Sequence, residues 1–326
     1  MHERLNEILQ IALACNVTDI HFSLYDGDPP KITIEMRVEG EVRQVRSRKD
    51  DDKLFRYIMY RANLDLANVF EPQTGSFTET VNGQVLSLRF ALVTSYRMKS
   101  GVLRILNNHS DLKVGDLSED PDTVYWLKHI TDSRSGMYVF SGPTGSGKTT
   151  TLYTILSHTE GKKIYSLEDP IEVVQENFVQ LQVNEKQLTY ADGIKQLMRQ
   201  DPDIIFIGEI RDSLAAEMAV RSALTGHLVV TSIHSGDCTG AISRLLELGV
   251  QEYQLQDVLS GISNQRLFTR QDGTRTGVYE VMNRREIVQY MKEHTLPKDH
   301  VSLKEKLHEA ARLGIVSKAE IEEETL

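Results

Sequence analysis

Residues 137–156 read MYVFSGPTGSGKTTTLYTIL: an apolar strand, a glycine-rich loop and a helical stretch. No other segment limits the fold so tightly. Within it, Gly142–Thr149 fits G-x-x-x-x-G-K-[ST]. Glycines let a backbone fold round phosphate groups with its amide hydrogens turned inward, and the lysine places a point charge on the outer phosphates. The helix that starts at the lysine adds its positive end to the anion site. The candidate nucleotide-binding residues are therefore Gly142, Pro143, Thr144, Gly145, Ser146, Gly147, Lys148, Thr149 and Thr150, and the Thr149 hydroxyl is a candidate Mg²⁺ ligand.

Short apolar strands (MYVF, KIYSL, IIFI, LVVTSI) alternate with helical stretches after residue 121, which predicts a parallel sheet covered by helices. Ligands of such sheets sit at the carboxyl ends of the strands. Three further strands end in ionisable groups: KIYSLEDPIE in Glu168 and Asp169, IIFIGEIRD in Glu209, and HLVVTSIHSGD in His234, with His227 at its start. Taken singly, Asp-Pro reads as a turn, a lone histidine as structural and Glu209 as a helix cap. Their convergence on one phosphate loop predicts a reaction centre. The stretch DPDIIFIGEIRD raises its own question, because Gly208 stands where many nucleotide-hydrolysing strands carry a second acid.

The first third of the chain is β-rich. Ile32, Ile34, Met36 and Val38 alternate with polar residues, Glu39-Gly40 predicts a turn into Glu41–Val45, and a helix is predicted around Lys53–Asn63. Asn82-Gly83 predicts a hairpin, followed by a strand with Leu86, Leu88, Phe90 and Leu92 on one face. Leu5, Ile8, Leu9, Ala12 and Leu13 give the N-terminus one apolar helical face. Residues 107–122 are polar and acidic. The expected division is an N-terminal α/β domain over 1–108, a linker over 109–120, and a nucleotide-binding domain with a terminal helical arm over 121–326.

The chain has 326 residues and a net charge of −10, which opposes broad binding to DNA or anionic lipid. Its two cysteines, Cys15 and Cys238, lie far apart and give neither a zinc site nor a disulfide framework. No apolar run reaches the ~18 residues a membrane span needs, and Glu3 and Glu7 interrupt any N-terminal leader. A cytosolic location is expected.

Taken together, the motifs resemble those of the secretion traffic ATPases, which power type II secretion and type IV pilus systems. GPTGSGKTTTLY is similar to their Walker A, SLEDPIE to their Asp box, MRQDPDIIFIGEIRD to their Walker B, and TGHLVVTSIHSGD to their His box. VTDIHF, RVEGEVRQV and the terminal ARLGIVSKAEIEE also match the family in order. In that family Walker B carries Gly-Glu, so Gly208 follows the pattern. Two departures stand out. Met98-Lys99 replaces a Gly-Glu pair, and the four-cysteine zinc element of many assembly members is missing. The compact form is most similar to the competence-pseudopilus ATPases of Gram-positive bacteria.

The resemblance implies a recombinase-type P-loop NTPase domain and a PAS-like N-terminal domain. It implies that Glu209 holds Mg²⁺ through water, that Glu168 polarises the attacking water, and that His234 senses the γ-phosphate, with His227 lesser and structural. Arg89 and Arg104 take the positions of arginine fingers, which supply cations to the developing charge. It further implies a homo-hexamer binding ATP and Mg²⁺ between the two domains of each subunit. The hexamer would sit at the inner face of the cell membrane and drive a polytopic platform protein that assembles pilin-like subunits for DNA uptake. Neither zinc nor direct nucleic-acid binding is expected. The alternatives are a pilus retraction or type IV secretion motor, a DNA-acting recombinase-type motor, and a non-enzymatic nucleotide-gated scaffold.

Overall fold

The computed structural model describes residues 1–15, 17–38, 41–106, 112–183, 188–270 and 274–317. The predicted turn at Glu39-Gly40, the start of the expected linker and the end of the ARLGIVSKAEIEE stretch lie outside them. The chain divides into two compact units, one of Met1–Asn108 with Pro170–Val174 and one of His109–Asp169 with Gln175–Leu326.

The first unit runs α1 (His2–Ala14), β1 (Asp19–Tyr25), β2 (Lys31–Val38), β3 (Glu41–Val45), α2 (Asp51–Arg61), β4 (Gln73–Val81), β5 (Gln84–Ser95) and β6 (Met98–Leu106). Its sheet is antiparallel throughout, in the order β3-β2-β1-β6-β5-β4. Asn82 and Gly83 have φ of 52° and 82°, the mirror-image turn that suits strand twist. Alternation in β5 buries Leu86, Leu88, Phe90 and Leu92, and the apolar faces of α1 and α2 close the core over them. Phe90 meets Phe22 and Phe55 edge-on, with ring centres 6.3 and 5.6 Å away. Gly101 is required beneath them, since a Cβ there would lie 2.2 Å from the Phe90 ring.

The second unit runs α3 (Pro121–His129), β7 (Gly136–Ser141), α4 (Lys148–Ser157), β8 (Ile164–Glu168), β9 (Phe178–Gln182), α5 (Tyr190–Leu197), β10 (Ile204–Ile207), α6 (Ser213–Leu224), β11 (Leu228–Ile233), α7 (Cys238–Glu247), α8 (Glu252–Val258), β12 (Leu259–Thr269), β13 (Arg275–Asn283), α9 (Arg284–Glu293) and α10 (Leu303–Arg312). Its seven strands lie in the order β13-β12-β7-β11-β10-β8-β9, parallel except for β13. β7, β10 and β11 are buried along their whole length, as a sheet covered on both faces requires. Asp212 and Asp237 start α6 and α7 by accepting from the Ala215 and Gly240 amides. These caps fix the turns that follow β10 and β11. β9, β12 and β13 extend the sheet beyond the four expected strands. No described helix is long and apolar enough to cross a membrane.

Candidate active site

The glycine-rich loop joins β7, third in the sheet, to the first turn of α4. Gly142, Gly145 and Gly147 have φ of 139°, 80° and 88°, a region closed to most side chains. At Gly142 a Cβ would lie 2.6 Å from the Gln265 carbonyl and 2.8 Å from Ser146 Oγ, so the loop is pressed against β12. Lys148 is buried and donates to the carbonyls of Gly142 and Pro143 at 2.8 and 2.9 Å, which folds it back over the loop. Ser146 Oγ is buried without a hydrogen-bond partner. A loop with left-handed glycines, an enclosed ammonium and an orphaned hydroxyl fits phosphate oxygens.

The other strand ends line up beside the loop. His234, past β11, places Nδ1 3.2 Å from the Gly142 carbonyl and Nε2 3.3 Å from Glu209 Oε1. Glu209, past β10, accepts from Arg211 Nε at 2.9 Å, and Arg211 Nη1 reaches Asp169 Oδ2 at 3.5 Å. A continuous polar chain thus crosses the carboxyl edges of β7, β11, β10 and β8. Apart from the Arg211–Glu209 bond its contacts are long, and its members are partly exposed: the His234 side chain is 48% accessible and that of Glu209 21%. Ser232 Oγ anchors the same edge by donating to the Gly208 carbonyl at 2.6 Å. Tyr190 is buried near Asp169 and Arg211, and burial raises its phenol well above the ordinary range.

Glu168 is different. It ends β8 with its side chain buried, 3% exposed. Ser166 Oγ and Gln180 Nε2 donate to Oε1 at 2.5 and 3.1 Å, and the Tyr153 hydroxyl donates to Oε2. Gly208 lies against it, since a Cβ there would sit 3.5 Å from both the Cα and the Cγ of Glu168. A Cβ there would also lie 3.3 Å from the Leu167 carbonyl oxygen, a tighter approach at the end of β8.

His227 immediately precedes β11, at the opposite end of that strand, and its Nδ1 lies 3.1 Å from the Ser222 carbonyl. In the first unit Arg89 and Arg104 stand directly opposite one another on β5 and β6, on one face of the sheet. The Arg104 side chain is half exposed and donates to Asp19 Oδ1 at 2.7 Å. Sequence reasoning missed Tyr153, Gln180, Arg211, Asn264 and Gln265. Asn264 donates to Ser141 Oγ and to the Ser235 carbonyl at 2.8 and 3.1 Å, and Gln265 donates to the Ser146 carbonyl at 2.6 Å. Nothing local sets them apart, since LSGISNQRLF also carries Ser260, Ser263 and Arg266.

Thr149 in the first turn of α4 and Glu209 offer the hard oxygen donors that Mg²⁺ prefers. Among the described residues no group of three or more His, Cys, Asp or Glu is placed to hold a metal.

Fold and site define a P-loop nucleotide-binding protein of the α/β class. The chain belongs to the family described as "Type II/IV secretion system protein", which it matches over residues 1–324. It is 36% identical over 266 residues to the competence protein ComGA of Bacillus subtilis, covering 80% of this chain and 74% of that one. To a putative type II secretion system protein E of Escherichia coli it is 35% identical over 272 residues, 82% of this chain and 55% of that one. The match thus spans about half the length of the type II secretion relative. Among solved structures, the ATPase DotB of Legionella pneumophila superposes with a TM-score of 0.77 at 19% identity, covering 98% of this chain and 94% of the other, a likeness of fold.

Proposed function

We propose that this protein is a Mg²⁺-dependent ATPase motor that drives assembly of a type IV pilus-like pseudopilus, serving DNA uptake in competence. One observation carries the catalytic part. His234 contacts both the phosphate loop at Gly142 and Glu209, so three strand ends meet at one place beside Lys148. The match to a competence protein supports the biological part.

Lys148 and the loop amides hold the phosphates of ATP. Thr149 and, through water, Glu209 would hold Mg²⁺, which would supply positive charge to the phosphate oxygens. Glu168 orients a water for attack on the γ-phosphorus and takes its proton, yielding ADP and phosphate. His234, lying between loop and Glu209, registers whether the γ-phosphate is present. Arg89 and Arg104 act as fingers whose arrival makes hydrolysis depend on domain closure. We assign the first unit a PAS-like and the second a recombinase-type fold. The working form is a hexamer at the inner face of the membrane, acting on a platform protein.

Two experiments test this. The purified protein should hydrolyse ATP, and Lys148→Ala should lower turnover by about 10³-fold; absence of turnover in the wild type under any assembly condition overturns the enzyme reading. Deleting the gene should abolish surface filaments and transformation, whereas excess filaments would indicate a retraction motor instead. Direct stimulation of the pure protein by single-stranded DNA would favour a DNA-acting motor.

A further inference from the structure

We infer that Tyr153 is a latch on Glu168, a positioning residue that stores the water-activating carboxylate in a restrained site until the phosphate loop is filled. The inference rests on the assignment of Glu168 as that carboxylate. A base that takes a proton from water needs a lone pair facing the water. Glu168 is 3% exposed, and both of its oxygens accept hydrogen bonds: Oε1 from Ser166 and Gln180, Oε2 from Tyr153. Each of these donors occupies a lone pair on the carboxylate and holds it in the interior. To act, it must give up a donor and turn outward.

Tyr153 is the donor whose release can be linked to nucleotide. Ser166 lies on β8 itself and Gln180 on the neighbouring β9, paired in register through Ser166. Both belong to the rigid sheet. Tyr153 instead belongs to α4, the helix whose first residue is Lys148. Any shift of α4 as its N-terminus engages phosphate moves the hydroxyl relative to β8. The ring is built in: it stacks on Phe178 with centres 6.1 Å apart and meets Phe206 edge-on at 5.8 Å. Its hydroxyl is further tied by Gln180 Nε2 at 3.3 Å. Tyr153→Phe therefore keeps the packing and removes only the hydroxyl.

Two readouts on the full-length protein test the latch. Carbodiimide coupling of an amine to carboxyl groups, read residue by residue by mass spectrometry, should modify Glu168 slowly in the wild type. It should be faster in Tyr153→Phe, and faster in the wild type with a non-hydrolysable ATP analogue. Basal kcat should rise about 3–10-fold in Tyr153→Phe with KM for Mg·ATP unchanged, and adding Glu168→Gln should erase the gain. Gln180→Met, which removes a donor to both Tyr153 and Glu168, should move both readouts the same way by a smaller amount. Unchanged labelling in Tyr153→Phe, or faster labelling with kcat unchanged or lower, overturns the latch and leaves the ATPase reading standing. Undiminished turnover in Glu168→Gln alone would instead overturn the role given to Glu168.

Discussion

Among its described residues the second unit holds two histidine–glutamate clusters, and they are built differently. At the phosphate edge, His234 and Glu209 meet at 3.3 Å with side chains 48% and 21% exposed. Under β13 and α9, His300 lies 3.1 Å from both Glu280 and Glu286 and is 2% exposed. Donating hydrogen bonds to the two carboxylates raises the His300 pKa to about 9, so the ring is charged at neutral pH. The buried cluster ties the segment before α10 to β13 and to the first turn of α9, and loosening it strands charge in the interior. The edge cluster is half in water and loosely spaced, so its members can exchange partners cheaply when a ligand arrives. The proposed chemistry lies where contacts are weak, and the buried cluster where they are strong. Glu168 breaks that rule. It stands at the chemical edge but is bonded like a residue of the core, which is why it carries the most informative substitutions.

Four outcomes sharpen the contrast. Lys148→Ala has the largest effect, with turnover down by about 10³-fold in a steady-state assay. Next, His300→Gln should lower the unfolding free energy by about 3 kcal/mol near pH 7, read from urea denaturation. The raised His300 sets the sign of the pH dependence. Its contribution is full below the unfolded value near 6.5 and disappears as pH rises through about 9. Melting measured from pH 6 to 10 should therefore show an alkaline loss that His300→Gln lacks. Glu209→Gln should raise the Mg²⁺ concentration for half-maximal rate about 10-fold while leaving stability within ~0.5 kcal/mol of wild type. Smallest is Arg211→Lys, which keeps charge but loses the fork joining Glu209 to Asp169. A decrease of about 2–5-fold in kcat, with melting unchanged, is expected.

Much of this was legible in the sequence. The strand–loop–helix around Gly142–Thr149 and the apolar strands ending in Glu168, Glu209 and His234 follow from short-range pattern, and the sheet gathers those ends along one edge. The partners of Glu168 were not legible. Gln180 lies on β9, a short edge strand paired in parallel with β8, and nothing local in NFVQLQV announces that neighbour. Tyr153 was not legible either, because whether a phenol's hydroxyl meets a carboxylate depends on tertiary packing. The β12–β13 pair escaped for the same reason: Asn264 and Gln265 acquire meaning only when β12 is laid beside β7. Gly208 is the opposite case, an oddity in sequence that the structure places against the end of β8.

The central claim is a division of labour, with Glu168 acting on water and Glu209 on the metal. Glu168→Gln and Glu209→Gln should be compared side by side for Mg·ATP affinity and for single-turnover hydrolysis. The account predicts that Glu168→Gln binds Mg·ATP within about 3-fold of wild type but hydrolyses it about 10²–10⁴-fold more slowly. Glu209→Gln should lose Mg²⁺-dependent affinity and regain much of its rate at high Mg²⁺. The same tightly bound, unhydrolysed state in both variants, or near-normal hydrolysis in Glu168→Gln, would contradict it.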